Sequence, residues 1–125
     1  MSTTPKFVRM GHVAIDVADV HTSLKFYRDV LGLSVAWDKS EDWGFLRLGN
    51  DDLALLQKDV KKHHPHVGMR LANREEVTAM YNYLKSKGVK MMTEPMPHRD
   101  DSFSFYFEDP DGNVIEAMYD PRYER

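Results

Sequence analysis

An internal repeat restricts the fold of this chain more than any other feature of its sequence. When the chain is moved along itself by 54 positions, His12 falls on His66 without a gap, and Tyr27 falls on Tyr81. Each histidine begins an alternating run, HVAIDV or HVGMRL, which is typical of a strand with one buried face. The repeat therefore predicts two copies of one supersecondary module.

Each copy contains the signals for one helix and four strands. In the first copy, Asp19 is placed to cap a helix over 20–31 that Gly32 ends. In the second, Asn73 with Glu76 predicts a capped helix that ends before Gly88. The remaining strand-like runs are Leu33–Trp37, Trp43–Leu48, Leu53–Gln57, Val89–Met92, Ser102–Phe107 and Asn113–Tyr119. Both copies predict the order βαβββ.

We predict one α+β domain over residues 1–125. Its first module covers about 7–58, a charged linker 59–65, and the second module 66–120. Each module has an apolar face for its helix and a face dotted with polar residues. Pairing the two modules would place the helices outside and line a common cleft with mixed, curved β-sheet.

Three side chains on the cleft-facing positions are candidate metal ligands. Glu116 is a carboxylate inside an apolar strand, and burying it without a cation, a metal or a proton would be costly. His12 and His66 occupy identical repeat positions, and two histidines with one carboxylate form a facial triad for a divalent metal. Three protein ligands leave coordination positions for water or substrate, as a catalytic metal requires.

The composition limits the metal, the partners and the compartment. Without cysteine the ligands must be nitrogen and oxygen donors, which suit Fe(II), Mn(II), Ni(II), Co(II), Mg(II) or Zn(II). A net charge of −3, with acids and bases interspersed, argues against nucleic acid and anionic membranes as partners. With no signal-like or bilayer-length apolar segment, we expect a cytoplasmic protein that acts on a small molecule.

The segment His98–Glu116 carries the second group of candidate residues. Its two strand-like runs are joined by Asp109-Pro110-Asp111-Gly112, a sequence typical of a hairpin turn. Tyr106 is a candidate acid or hydrogen-bond donor near the metal, although packing is an equally good reason for a tyrosine here. His98 is a candidate general acid or base, or else a solvated loop histidine.

Three stretches resemble the vicinal oxygen chelate superfamily: GHVAIDVADVHTSLKFYRDVLGL, HVGMRLANREEV and FYFEDPDGNVIEAMY. That superfamily contains glyoxalase I, the fosfomycin and bleomycin resistance proteins and the extradiol dioxygenases. The resemblance implies a divalent metal that chelates vicinal oxygens of a substrate, with ligands that map onto His12, His66 and Glu116. It also implies pairing of modules between chains, so we expect a homodimer.

Among the subfamilies, the second module is most similar to the extradiol dioxygenases. Their signature of a histidine, a Phe-Tyr-like pair, an acidic-Pro-x-Gly turn and a glutamate is matched by His98, Phe105-Tyr106, 109–112 and Glu116. Met96 departs from that pattern. The resemblance implies that His98 and Tyr106 lie beside the substrate hydroxyls, and it favours Fe(II) or Mn(II) and dioxygenase chemistry.

The other subfamilies fit less well. Glyoxalase I, for which Ni(II), Co(II) or Zn(II) would be expected, uses a second carboxylate or Gln in the first module. In our alignment of the two modules, Leu55 takes that position and Gln57 lies two residues further on the same face. The fosfomycin thiol transferases usually have threonine where this chain has Ala14. A binding or resistance protein without turnover is the remaining alternative.

Overall fold

The structure is a computed structural model that describes residues 4–38, 40–60, 65–98 and 101–121. These residues form nine strands, two α-helices and a π-helical turn, so the predicted α+β class is confirmed. The chain divides into two compact units, one of His12–His66 and one of the residues up to Gly11 together with those from Val67 onward. Residues 61–64 of the predicted linker lie outside the described residues. None of the described helices is long and apolar enough to cross a bilayer.

The unit His12–His66 holds most of the predicted first module. Its elements are β1 (Arg9–Val17, which begins just before the unit), α1 (Val20–Lys25), a π-helical turn (Phe26–Val30), β2 (Ser34–Trp37), β3 (Trp43–Leu48) and β4 (Asp51–Gln57). The strands lie in the order β2-β3-β4-β1. β1 runs parallel to β4, and the other two neighbouring pairs are antiparallel.

The helix of this unit begins where the sequence predicts but changes its geometry halfway. Asp19 caps it, because its carboxylate accepts a hydrogen bond of 3.1 Å from the backbone N–H of Thr22. From Phe26 the helix widens into the π-helical turn, and Gly32, with φ +77°, ends it. The single helix predicted over 20–31 is therefore two consecutive segments.

The two faces of the sheet in this unit pack differently. The face under α1 forms a core of buried residues: Val20, Leu24, Leu46 and Leu55. The opposite face carries a smaller cluster, Ala14, Ala54 and Leu56, against which Trp43 and Phe45 pack. By strand alternation this second face also carries His12.

The second unit contains the remaining strands. Its elements are β5 (His66–Arg70, which begins with the last residue of the first unit), α2 (Arg74–Ser86), β6 (Lys90–Met91), β7 (Met96–Pro97), β8 (Phe103–Glu108) and β9 (Val114–Tyr119). The strand order is β5-β9-β8-β6, and β7 also pairs with β8. β7 was not predicted from the sequence, because two residues that end in proline are too few to show the alternation of a strand.

Helix and turn signals in this unit are confirmed in detail. Asn73 accepts a 2.8 Å hydrogen bond from the backbone N–H of Glu76, and α2 packs on a core that includes Val77, Met80 and Phe105. In the β8–β9 turn, Asp109 accepts hydrogen bonds from the backbone N–H groups of Asp111 and Asn113. The turn thus sets the register in which Tyr106 lies opposite Glu116.

Candidate functional site

The first candidate group is a pair of histidines within the unit His12–His66. Nε2 of His12 lies 2.7 Å from Nε2 of His66, and the two rings meet edge to face at 87°. Both residues are half-buried. The structure therefore brings together the two histidines that the repeat relates at a separation of 54 residues. Two imidazole nitrogens converging on one point suit a shared proton or a shared cation.

The second group lies on the unit that begins at Val67. Glu116 is buried at 6% exposure on β9, within the apolar strand where the sequence placed it. On β8 its direct cross-strand neighbour is Tyr106, whose phenol donates a hydrogen bond to the Glu116 carboxylate. On the other side, Glu116 pairs with Gly68 of β5. Gly68 itself carries no side chain, so the residue directly paired with Glu116 on β5 adds no functional group of its own.

Tyr106 is held in its neutral form. Burial raises the pKa of the phenol, and the negative charge of Glu116 and the hydrogen bond to it raise that pKa further. The backbone of Tyr106 is fixed as well, since its N–H donates to Thr93 Oγ1 at 3.0 Å and its carbonyl accepts from the N–H of Met92. A neutral phenol in a fixed position is a hydrogen-bond donor rather than a base.

His98 is half-buried at the end of β7. Its Nε2 and the Ser104 hydroxyl form a hydrogen bond of 2.7 Å. Ser104 is buried and lies two residues before Tyr106, so strand alternation puts both on one face of β8. The sequence alone did not identify Ser104 as the partner of His98.

The alignment of the two modules at β4 and β9 requires a correction. Glu116 pairs with Gly68, and the equivalent partner of Ala14 is Ala54, not Leu55. Leu55 is fully buried in the core under α1, on the opposite face of the sheet. The first module still offers no carboxylate at the position equivalent to Glu116.

Gln57 also lies on the helix side rather than on the predicted cleft-facing side. Its side-chain oxygen accepts a 3.0 Å hydrogen bond from the backbone N–H of Val20, and its amide donates to the carbonyl of Ala18. These bonds tie β4 to the start of α1. Gln57 is therefore a structural residue, and the register error explains why the sequence analysis misplaced it.

The sequence was also compared with a family model and with known proteins. Residues 9–117 match the model of the Glyoxalase/Bleomycin resistance protein/Dioxygenase superfamily. A metallothiol transferase FosB of Staphylococcus haemolyticus is 26% identical over 86% of this chain and 80% of its own length. A manganese-dependent 2,3-dihydroxybiphenyl 1,2-dioxygenase of Geobacillus genomosp. 3 is 27% identical over 94% of this chain, which spans only 38% of that enzyme.

A solved structure of similar fold is homoprotocatechuate 2,3-dioxygenase from Arthrobacter globiformis. It matches with a TM-score of 0.72 and 29% identity over 94% of this chain, which covers 37% of that enzyme. All three of these relatives are metal-dependent enzymes or dioxygenases, and the family match over residues 9–117 covers nearly the whole repeat. This chain belongs to the Glyoxalase/Bleomycin resistance protein/Dioxygenase superfamily.

Proposed function

We propose that the chain is a divalent-metal enzyme that acts on a small molecule with vicinal oxygens, with His12, His66 and Glu116 as ligands. The observation that carries this proposal is the 2.7 Å approach of the two histidine Nε2 atoms. His66 begins β5, and Gly68, two residues later in the same strand, pairs with Glu116. Two residues along a strand span roughly 6.6 Å, a distance that a glutamate side chain bridges.

The donor set fits a catalytic metal. Two nitrogens bound to one ion at about 2.1 Å each, at right angles, would be roughly 3 Å apart, close to the separation of the two histidine nitrogens. Two neutral imidazoles and one carboxylate leave a divalent ion with one net positive charge, which suits an anionic bidentate oxygen donor. When bound, the metal would act as a Lewis acid on the substrate hydroxyls and, as Fe(II) or Mn(II), would supply the chemistry of dioxygen.

Within the superfamily we favour extradiol ring cleavage of an aromatic vicinal diol. In that reaction one ring carbon–carbon bond breaks and both atoms of dioxygen enter the product. Tyr106 would donate a hydrogen bond beside the ligand Glu116 and orient the bound substrate. His98, held by Ser104 on the same face of β8, would accept a hydroxyl proton and return it later.

The first experiment measures metal content by elemental analysis in protein purified without chelators. Wild type should contain about one iron or manganese per chain, and Glu116→Ala should contain far less. His21→Ala is the matched control, because His21 is an exposed histidine whose imidazole contacts Glu41 at the surface. Oxygen uptake with a panel of catechols should then follow metal content.

Absence of metal in wild type, with none taken up on reconstitution, would contradict the proposal and leave a metal-free binding protein. Metal without oxygen uptake on any catechol would contradict only the dioxygenase assignment.

A second candidate is thiol transfer to an epoxide. It is favoured by the similarity to the metallothiol transferases, which extends over 80% of the length of the S. haemolyticus protein. In this reaction the thiolate sulfur bonds to an epoxide carbon, the carbon–oxygen bond breaks, and the oxygen takes the proton. Loss of free thiol with fosfomycin and Mn(II) present, in the absence of oxygen, would select this reaction over ring cleavage.

A homodimer and a cytoplasmic location remain predictions. Support for the dimer comes from large apolar side chains exposed on the unit His12–His66: Val13, Phe26, Val30, Leu31 and Leu48. Light scattering coupled to size exclusion should give a mass near twice the 14.6 kDa of one chain.

A further inference from the structure

A row of polar side chains crosses the first unit and ends at His12. The paired positions run from Ser34 on β2 to Arg47 on β3, then to Asp52 on β4, and finally to His12 on β1. Residues paired in this way share a face of the sheet. Asp52 is therefore the direct neighbour of His12 on the face that carries the histidine.

Asp52 is itself held in place. Its side chain is only 7% exposed, and Nε of Arg47 donates a 2.9 Å hydrogen bond to Oδ1 of the carboxylate. A carboxylate offers about four lone-pair sites, so a hydrogen bond from a guanidinium is compatible with a further one from an imidazole. Such a group can hold a neighbouring imidazole without itself changing conformation.

The equivalent row of the second module lacks this carboxylate. There, Lys90 pairs with Glu108, and Glu108 pairs with Val114, which stands where the first module has Asp52. Lys90 and Glu108 form an ion pair of 3.2 Å at the far end of that row. The acidic neighbour is therefore specific to His12 and is not a general property of the repeat.

We propose that Asp52 is a positioning residue for His12, with its carboxylate accepting a hydrogen bond from Nδ1–H of the imidazole. This inference rests on the proposed function, in which Nε2 of His12 is a metal ligand. Since Nε2 faces His66, a carboxylate that orients the ring without touching this nitrogen must act on Nδ1. A carboxylate on Nδ1–H fixes the tautomer that presents the Nε2 lone pair and makes that nitrogen a stronger ligand.

Two measurements test the role of Asp52. Imidazole nitrogen NMR of metal-free protein reports the tautomer of His12, and titration calorimetry with Mn(II) reports metal affinity. We expect Asp52→Ala to abolish the preference for Nδ1–H and to weaken Mn(II) binding by about 10- to 100-fold. Asp52→Asn keeps the shape and an acceptor oxygen. It should therefore lose less of the Nδ1–H preference and less of the Mn(II) affinity than Asp52→Ala does. Asp51→Ala is the control, because it removes the adjacent carboxylate on the opposite face of β4.

The outcomes separate this inference from the proposed function. Unchanged Mn(II) affinity and an unchanged His12 tautomer in Asp52→Ala would overturn the positioning role while leaving the metal site intact. If wild type binds no Mn(II), the proposed function fails, and the tautomer in metal-free protein alone decides the role of Asp52. If circular dichroism shows that Asp52→Ala does not fold, the His12 tautomer and the Mn(II) affinity are compared between wild type and Asp52→Asn instead.

Discussion

Nε2 of His12 and Nε2 of His66 lie 2.7 Å apart, although the two residues begin different copies of the repeat. Two lone pairs at that distance repel, and so do two N–H groups. The contact is therefore favourable only when one nitrogen carries a proton and the other does not, or when both bind one cation. A divalent metal would replace a single hydrogen bond by two metal–ligand bonds.

Metal binding should therefore stabilise the fold. At Mn(II) concentrations near 100 times the dissociation constant, we expect the free energy of unfolding to rise by about 2.7 kcal/mol. Thermal scans with and without Mn(II) measure this as a rise in Tm, which a chelator should reverse. His12→Ala and His66→Ala should each lose the rise, whereas His21→Ala should keep it. An equal rise in all four proteins would mean that Mn(II) binds elsewhere.

Tyr106→Phe should separate metal binding from turnover. The substitution removes the phenol that donates to Glu116 but leaves the carboxylate in place. We expect metal content to stay near that of wild type and kcat to fall by about 100-fold, the lower end of the range for a positioned proton donor. Phe107→Leu, on the opposite face of β8, is the comparison for an effect of packing alone. Unchanged kcat in Tyr106→Phe would assign Tyr106 to packing.

The same tyrosine predicts sensitivity to alkali in the metal-free protein. The pKa of Tyr106 is raised above its ordinary value of 10.0, first by burial and then by Glu116. A raised pKa in the folded chain gives stability that is complete below pH 10 and is lost as the pH rises above it. The urea midpoint of wild type should fall more steeply above pH 10 than that of Tyr106→Phe. Parallel curves would contradict the pKa shift.

The turn at Asp109 predicts sensitivity to acid. Hydrogen bonds from the Asn113 side chain, followed by backbone N–H groups of the turn, lower the pKa of the Asp109 carboxyl. A lowered pKa gives stability that is present above the ordinary value of 3.8 and is lost as the pH falls below it. Asp109→Asn should lower the urea midpoint at pH 7, and the difference from wild type should shrink in acid. Asp111→Asn, in the same turn, is the control for the loss of one negative charge.

Gln57 should matter for stability and not for metal. Its hydrogen bonds to the backbone of Val20 and Ala18 satisfy polar groups at the start of α1, so Gln57→Ala should cost about 1 kcal/mol of unfolding free energy. Chemical denaturation measures the cost, with the exposed Lys58→Ala as the comparison. Metal content should be the same in both variants. A loss of metal in Gln57→Ala would instead indicate that Gln57 is a fourth metal ligand, as in a glyoxalase I site.

Local sequence patterns predicted most of the helices, strands and turns of this protein. The alternation of apolar and polar residues, the helix caps and the hairpin turn each depend on residues close together in the sequence. The helices and strands near Asp19, Asn73 and 109–112 could therefore be predicted from the sequence. The alternation along its strand also predicted which face of the sheet carries Glu116. The 54-residue offset of the repeat predicted that His12 and His66 occupy equivalent positions.

The pairing of strands that are far apart in the sequence decided which side chains lie next to one another in the candidate site. Whether Ala54 or Leu55 stands in the place of Glu116 depends on the register between β1 and β4, and a slip of one residue moves every side chain to the other face. That slip is why the sequence analysis placed Gln57 on the wrong side. β7, the hydrogen bond of His98 to Ser104 and the row from Arg47 through Asp52 to His12 likewise depend on which strands meet. No local pattern contains that information, because it is set by the tertiary packing of the sheet.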